Sequence, residues 1–240
     1  MASTKRNAEE STNKAARGGR KKPASARRKA PSSGGTTAGS SGRSSGSAAA
    51  IAEQLLADEN AQREVARYAA TLSTGKATAA TQAARVIGEV LSRKPELLVG
   101  AVKELVEAVR SPHKRAVAAA ADALPVVAKH SPARVAKHLD ALKEAFDETT
   151  DAGRDGLVRT FAQLCIASVA YQKRLEPILT HALRQAEGKT LVRWTLTALP
   201  ALKGEPHANA RAVVEDRLYR LPRSVAQPIA EYLGVRLRRR

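Results

Sequence analysis

The chain has 240 residues, with 41 Lys and Arg against 23 Asp and Glu, a formal net charge of +18 and a sequence pI near 10.6. A balance this basic points to a polyanionic partner, because cations that neutralise phosphates release condensed counterions and gain affinity without reading sequence. The lone cysteine, Cys165, excludes an internal disulfide and an all-cysteine metal site, and the short, interrupted apolar runs exclude a bilayer-spanning helix.

Residues 1–47 hold eleven Lys and Arg against Glu9 and Glu10, a net +9, and contain no Val, Ile, Leu, Phe, Tyr or Trp. Without such side chains a segment cannot offset the entropy of ordering its backbone, so a disordered basic tail is expected. Its clusters, Arg17, Arg20, Lys21, Lys22, Arg27, Arg28 and Lys29, are expected to contact phosphates by charge, since a disordered backbone cannot fix donor geometry in a groove. In composition the tail resembles those of linker histones and some bacterial nucleoid proteins, which implies DNA association. It has no apolar face to hold a membrane and no apolar core of a secretory signal, so no membrane partner is expected. The expected location is intracellular: cytoplasmic and nucleoid-associated in a bacterium, nuclear in a eukaryote.

The rest is all-α by its 3.6-residue apolar period. Helices are expected over 48–57, 60–73, 76–93, 95–110, 112–129, 132–147, 151–170, 172–187, 189–203, 206–220 and 222–236. Pro95, Pro112, Pro132, Pro206 and Pro222 stand at helix starts, where a missing N–H costs nothing, with Ser111 and Ser131 as N-caps. Gly188 and Gly204 suit turns that follow a helix. Leu97, Leu98, Val102, Leu105, Val106 and Val109 line one apolar face, and Val135, Leu139, Leu142 and Phe146 line its counterpart one unit later. Four Ala- and Leu-rich stretches align on Gly88, Pro125, Ile166 and Pro200, with steps of 37, 41 and 34 residues. Such steps are the length of a helical hairpin, so residues 48–236 are expected to form an α-solenoid of stacked helix pairs, ending in a basic segment, 237–240.

Leu175-Glu176-Pro177-Ile178-Leu179, followed by Leu191-Val192-Arg193 and Ala198-Leu199, resembles the HEAT-repeat pattern of a proline-kinked first helix and a Val-Arg opening of the second. Val158-Arg159 with Ala162 and Leu164 is similar, whereas Val117-Ala118 and Ala80-Thr81 depart from it. The resemblance spans about residues 60–220. It implies a stack of helix pairs, an ion pair or hydrogen bond between repeats for Arg159 and Arg193, and no catalytic residues.

The turns from each second helix into the next pair are basic: Arg93-Lys94, Lys129-His130 with Arg134, Lys173-Arg174, and Lys203 with His207. Stacking places equivalent turns on one edge, so a phosphate-binding ridge of Arg93, Lys94, Lys129, Lys173, Arg174 and Lys203 is expected, joined by Arg236, Arg238, Arg239 and Arg240. The other set of turns is mixed, running from Arg110, His113, Lys114 and Arg115 through Asp147, Glu148 and Asp151 to Glu187 and Lys189. The expected activity is non-enzymatic binding of nucleic acid, duplex DNA without strong sequence preference, and no cofactor or metal is expected. One alternative is a protein-interaction scaffold for an acidic partner. Another is a HEAT-like alkylpurine glycosylase, in which Trp194 would stack a base and Asp122 or Asp155 would supply the carboxylate.

Overall fold

The computed structural model describes residues 40–237, and among them the chain forms twelve α-helices, two 3-10 segments and no strand. The tail cations and Arg238, Arg239 and Arg240 lie outside the described residues. None of the described helices is long and apolar enough to cross a membrane. Helix α1 (Ser40–Ala57) starts inside the segment expected to be tail, and is followed by α2 (Ala61–Thr74) and α3 (Ala77–Arg93). A 3-10 helix (Pro95–Ala101) leads into α4 (Val102–Ala108), then come α5 (Lys114–His130), α6 (Pro132–Ala136), α7 (Leu139–Glu148) and α8 (Asp151–Ala167). The chain continues through α9 (Val169–Gln185), α10 (Gly188–Ala198) with a 3-10 turn (Leu199–Ala201), α11 (Gly204–Leu218) and α12 (Arg223–Leu233).

The helices pack in two rows in chain order. In the first row α1 lies on α3, α3 on α5, α5 on α8, α8 on α10 and α10 on α12. In the second row α2 lies on the 3-10 helix and α4, and α9 on α11, while each second-row element also covers a first-row neighbour. Between the rows lies one aliphatic core that includes Leu72, Ile87, Leu98, Leu124, Leu142, Phe146, Leu157, Phe161 and Leu175, all essentially inaccessible to solvent.

Helices α3, α5, α8 and α10 begin at Ala77, Lys114, Asp151 and Gly188, a constant step of 37 residues, and the second row starts at Pro95, Pro132 and Val169 with the same step. The backbone repeats as well. Lys94 (φ −143, ψ 73) and Ser131 (φ −144, ψ 68) turn the chain in the same way. This corrects the alignment taken from the sequence, because the positions equivalent to Gly88 and Pro125 are Ala162 and Leu199. Ile166 lies four residues beyond Ala162, one helical turn on, where an apolar pattern looks the same.

Two expected helices are broken at equivalent points. Ala101 (φ −107, ψ 19) separates the 3-10 helix from α4, and His138 (φ −106, ψ 17) separates α6 from α7. Both sit in the bridge region of backbone space. The apolar periodicity runs straight through the breaks, which is why 95–110 and 132–147 read as continuous. The expected N-caps also need correction. Helix α5 starts at Lys114, so Ser111 is not its cap, and Ser131 precedes α6 without a capping bond from its side chain. Gly188 (φ +49) and Gly204 (φ +60) take the left-handed conformation at the starts of α10 and α11, where a residue with Cβ would be strained.

Carbonyls left free at the ends of second-row helices are taken by side chains one unit later. Ser111 Oγ donates to the Leu72 carbonyl (3.0 Å), and buried Thr149 Oγ1 donates to that of Val109 (2.6 Å). His113 Nε2 lies 3.2 Å from the Gly75 carbonyl, Arg134 reaches that of Val99 (3.3 Å) and Arg217 that of Leu183. In the opposite direction, Arg110 reaches forward to the Ala141 carbonyl in the first turn of α7 (3.1 Å).

The closest seam in the first row joins α5 to α8. A Cβ on Gly156 would stand 2.5 Å from both the Cα and the carbonyl oxygen of Ala121, and backbone atoms cannot move aside cheaply. Gly88, on the exposed side of α3, has nothing within 4 Å of the same position. Gly156→Ala is therefore expected to destabilise the protein by about 1–3 kcal/mol through overpacking. Gly88→Ala is expected to stabilise it by about 0.5–1 kcal/mol through helix propensity. Urea unfolding of the two variants should give midpoint shifts of opposite sign.

Candidate nucleic-acid interface

Turns around residues 93–95, 130–132, 167–169 and 202–204 lead from the first row to the second and so share one edge of the stack. Of the expected ridge, Arg93, Lys94, Lys129 and Lys203 lie in these turns and are exposed. Arg93 pairs with Glu89 of its own helix (3.3 Å). Among the described residues, Lys94, Lys129 and Lys203 have no carboxylate within 4.0 Å, nor do Lys173 and Arg236. Cations near helix C-termini lower their energy against the macrodipole, which accounts for Arg93 and Lys129 as structure without reference to a ligand.

The placement of Lys173 and Arg174 is corrected. They lie inside α9, which begins at Val169, and Arg174 stands 3.8 Å from Asp140. The turn itself is Ala167-Ser168 and carries no charge. Arg236 is exposed just beyond α12, whose end is fixed by Gly234 in the left-handed region (φ +70) and by the Val235 N–H on the Ala230 carbonyl (2.9 Å). That Gly234 stop could have been found in the sequence as a glycine just past the last apolar residue of the period.

Several charges elsewhere are engaged between units. Arg110, in the other set of turns, meets Glu144 (3.1 Å) and Glu148 (3.4 Å) of the next unit, and Asp147 stands 3.4 Å from His181 of the unit after that. The first row carries its own ladder. Arg159 reaches back to Asp122 (3.0 Å) and lies 3.3 Å from Asp155 through Nε, an ion pair without hydrogen-bond alignment. Arg193 donates to Asp155 from the following unit (2.5 Å), and Trp194 Nε1 donates to the same oxygen (3.0 Å). Arg159 and Arg193 thus make the contacts between units that the sequence pattern implies.

The residues of the glycosylase alternative are engaged in this ladder. Asp155 is 18 % exposed with both oxygens facing arginines, and the Trp194 ring is buried against Phe146 at 5.9 Å between centroids. Trp194 therefore offers no open face for a base. Burial pushes the Cys165 thiol up to about 12, so it stays protonated and is no nucleophile at neutral pH. Among the described residues, no group of three or more His, Cys, Asp or Glu could hold a metal ion.

Removing the Asp155 carboxylate leaves Arg193 and the Trp194 indole N–H without their acceptor and takes one of two carboxylates from Arg159. Asp155→Ala is expected to cost about 1–3 kcal/mol, while Asp122→Ala, at a 63 % exposed side chain with one partner, should cost less than about 1 kcal/mol. Urea melts of both variants at low and high salt check this ordering.

No protein-family model, curated protein or solved structure matches the chain.

Proposed function

We propose that this is a non-enzymatic nucleic-acid-binding protein of HEAT-like helical-repeat architecture that holds the phosphate backbone of duplex DNA without strong sequence preference. The observation that carries the reading is the recurrence of an exposed lysine, without a carboxylate partner among the described residues, at three of the connections from the first row to the second: Lys94, Lys129 and Lys203. Unpaired cations aligned along one direction suit a linear polyanion, and each phosphate they neutralise adds counterion release. The tail, with its net +9, would add a second grip through Arg17, Arg20, Lys21, Lys22, Arg27, Arg28 and Lys29, and Arg236 with Arg238, Arg239 and Arg240 a third. In this reading the protein sits on the nucleoid or in the nucleus. Few aromatic side chains are available to stack unpaired bases, which favours a duplex over single strands.

Two measurements test it on fluorescent duplex DNA over a salt series. Removing residues 1–39, which precede α1, should weaken binding and flatten the log K against log salt slope by about 0.9 for each phosphate that is no longer neutralised. Equal affinity of the full and shortened chains at every salt concentration would remove the tail from the mechanism. Charge reversal of Lys94, Lys129 and Lys203 in the full chain should weaken binding more than reversal of Lys103, Lys143 and Arg184 on helix bodies. Equal losses from the two sets would mean that only net charge matters, and no loss from either would favour a scaffold for an acidic protein. Such surface changes usually move stability by less than about 0.5 kcal/mol, so circular dichroism melts should not separate the variants.

A further inference from the structure

The constant step puts Ile166 in the place that Lys129 and Lys203 occupy in the neighbouring units, and Val169 in the place of Pro132 and Pro206. Ile166 is 63 % exposed and Val169 62 %, and Ala167 and Ala170 beside them are exposed too. No Asp, Glu, Lys or Arg occurs from Thr160 to Gln172, in a chain that is 27 % charged. The equivalent turns of this protein, Ser92-Arg93-Lys94 and Lys129-His130-Ser131, show what a merely solvated connection looks like here. At the α8–α9 turn the same edge instead presents aliphatic side chains to water.

The turn is held in place. Ser168 is extended (φ −158, ψ 138), its N–H donates to the Leu164 carbonyl (3.2 Å) and its hydroxyl accepts from the Ala170 N–H (3.2 Å). Gln172, only 3 % exposed, donates to the Cys165 carbonyl (2.9 Å) and accepts from the Lys203 N–H (3.0 Å). One buried amide therefore ties the end of α8, beside Ile166, to the backbone of the next basic turn. The apolar tip and its flanking lysine are fixed relative to each other before any partner arrives.

We propose that the Ile166–Val169 turn is an apolar wedge that enters the minor groove of bound duplex DNA, with Lys129 and Lys203 on the phosphates to either side. The inference rests on the duplex-binding reading above and adds a bent duplex to it. Helices packed side by side lie about 8–10 Å apart, so the two lysines stand roughly 16–20 Å apart with the wedge between them. The flexible four-carbon stems of the two lysines can lean inward to the phosphates that line a minor groove about 6 Å wide, while the aliphatic tip between them faces the groove floor. Aliphatic side chains in that groove part a base step and kink the duplex away from themselves. An anionic lipid surface has the charge but no line of anions on either side of a narrow cleft.

The test is fluorescence resonance energy transfer across an end-labelled duplex of about 25 base pairs, with 2-aminopurine in the same duplex to report unstacking. The full-length protein is used with vesicles of phosphatidylserine and phosphatidylcholine as a parallel arm. The parent chain should bend the duplex and brighten 2-aminopurine. Ile166→Ser with Val169→Ser should keep the salt slope, lose the bend and bind about tenfold more weakly. Ile166→Lys, which restores the lysine of the neighbouring turns, should steepen the salt slope and still lose the bend. Unchanged bending in both variants overturns the wedge but leaves duplex binding standing. Failure of the parent chain to bind duplex at low salt overturns both readings. Vesicle binding by the parent chain that the serine variant loses, with duplex bending unaffected, assigns the turn to a membrane and overturns the proposal.

Discussion

A helix end leaves backbone carbonyls without partners, and in this protein the partners come from the next unit. Ser111 on the Leu72 carbonyl and Thr149 on that of Val109 do the same work one unit apart, and both hydroxyls are buried. An unmet carbonyl at those sites would carry the full penalty of desolvation, so each unit is incomplete until the following one is in place. The constant step, the alignment of equivalent turns and the shared edge of lysines all descend from that dependence. Packing reinforces it, since Gly156, with no side chain of its own, brings α8 against the methyl and backbone of Ala121 in α5.

The same dependence separates structural charge from available charge. Arg159, Arg193 and Asp155 are consumed in joining units, as are Arg110, Glu144 and Glu148. Lys94, Lys129 and Lys203 on the connecting edge stand outside these pairs. In the pairs between units the planar guanidinium supplies a fixed, forked geometry that a lysine ammonium lacks.

The helical class and most helix positions are legible in the sequence because apolar periodicity and proline placement are local signals; the contacts of Arg159 and Arg193 between units follow only from the resemblance to the HEAT-repeat pattern. The sequence misled where the deciding partner was distant. Ser111 looks like a cap, yet its hydroxyl serves a carbonyl 39 residues earlier. The breaks at Ala101 and His138 leave the apolar pattern untouched and so are silent. Lys173 and Arg174 read as a turn because the interruption between α8 and α9 is marked only by the single capping residue Ser168, within an uninterrupted uncharged stretch. Asp155 could be picked out as a carboxylate near an aromatic residue, but its use as the partner of two arginines and an indole depends on the register, which was read four residues out in that region. The ridge was legible as a run of cations. Its apolar interruption at Ile166 is evident only on the 37-residue step.

Gln172 also constrains how this chain can change length. Its side chain spans the Cys165 carbonyl and the Lys203 amide, two points 38 residues apart that must arrive together. A single residue inserted into α8 would turn everything beyond it by about 100° around the helix axis and break the bridge and the Asp155 ladder at once. Duplication of one whole 37-residue unit would reproduce every junction and displace none. The stack can therefore lengthen or shorten without disturbing its junctions only in whole units.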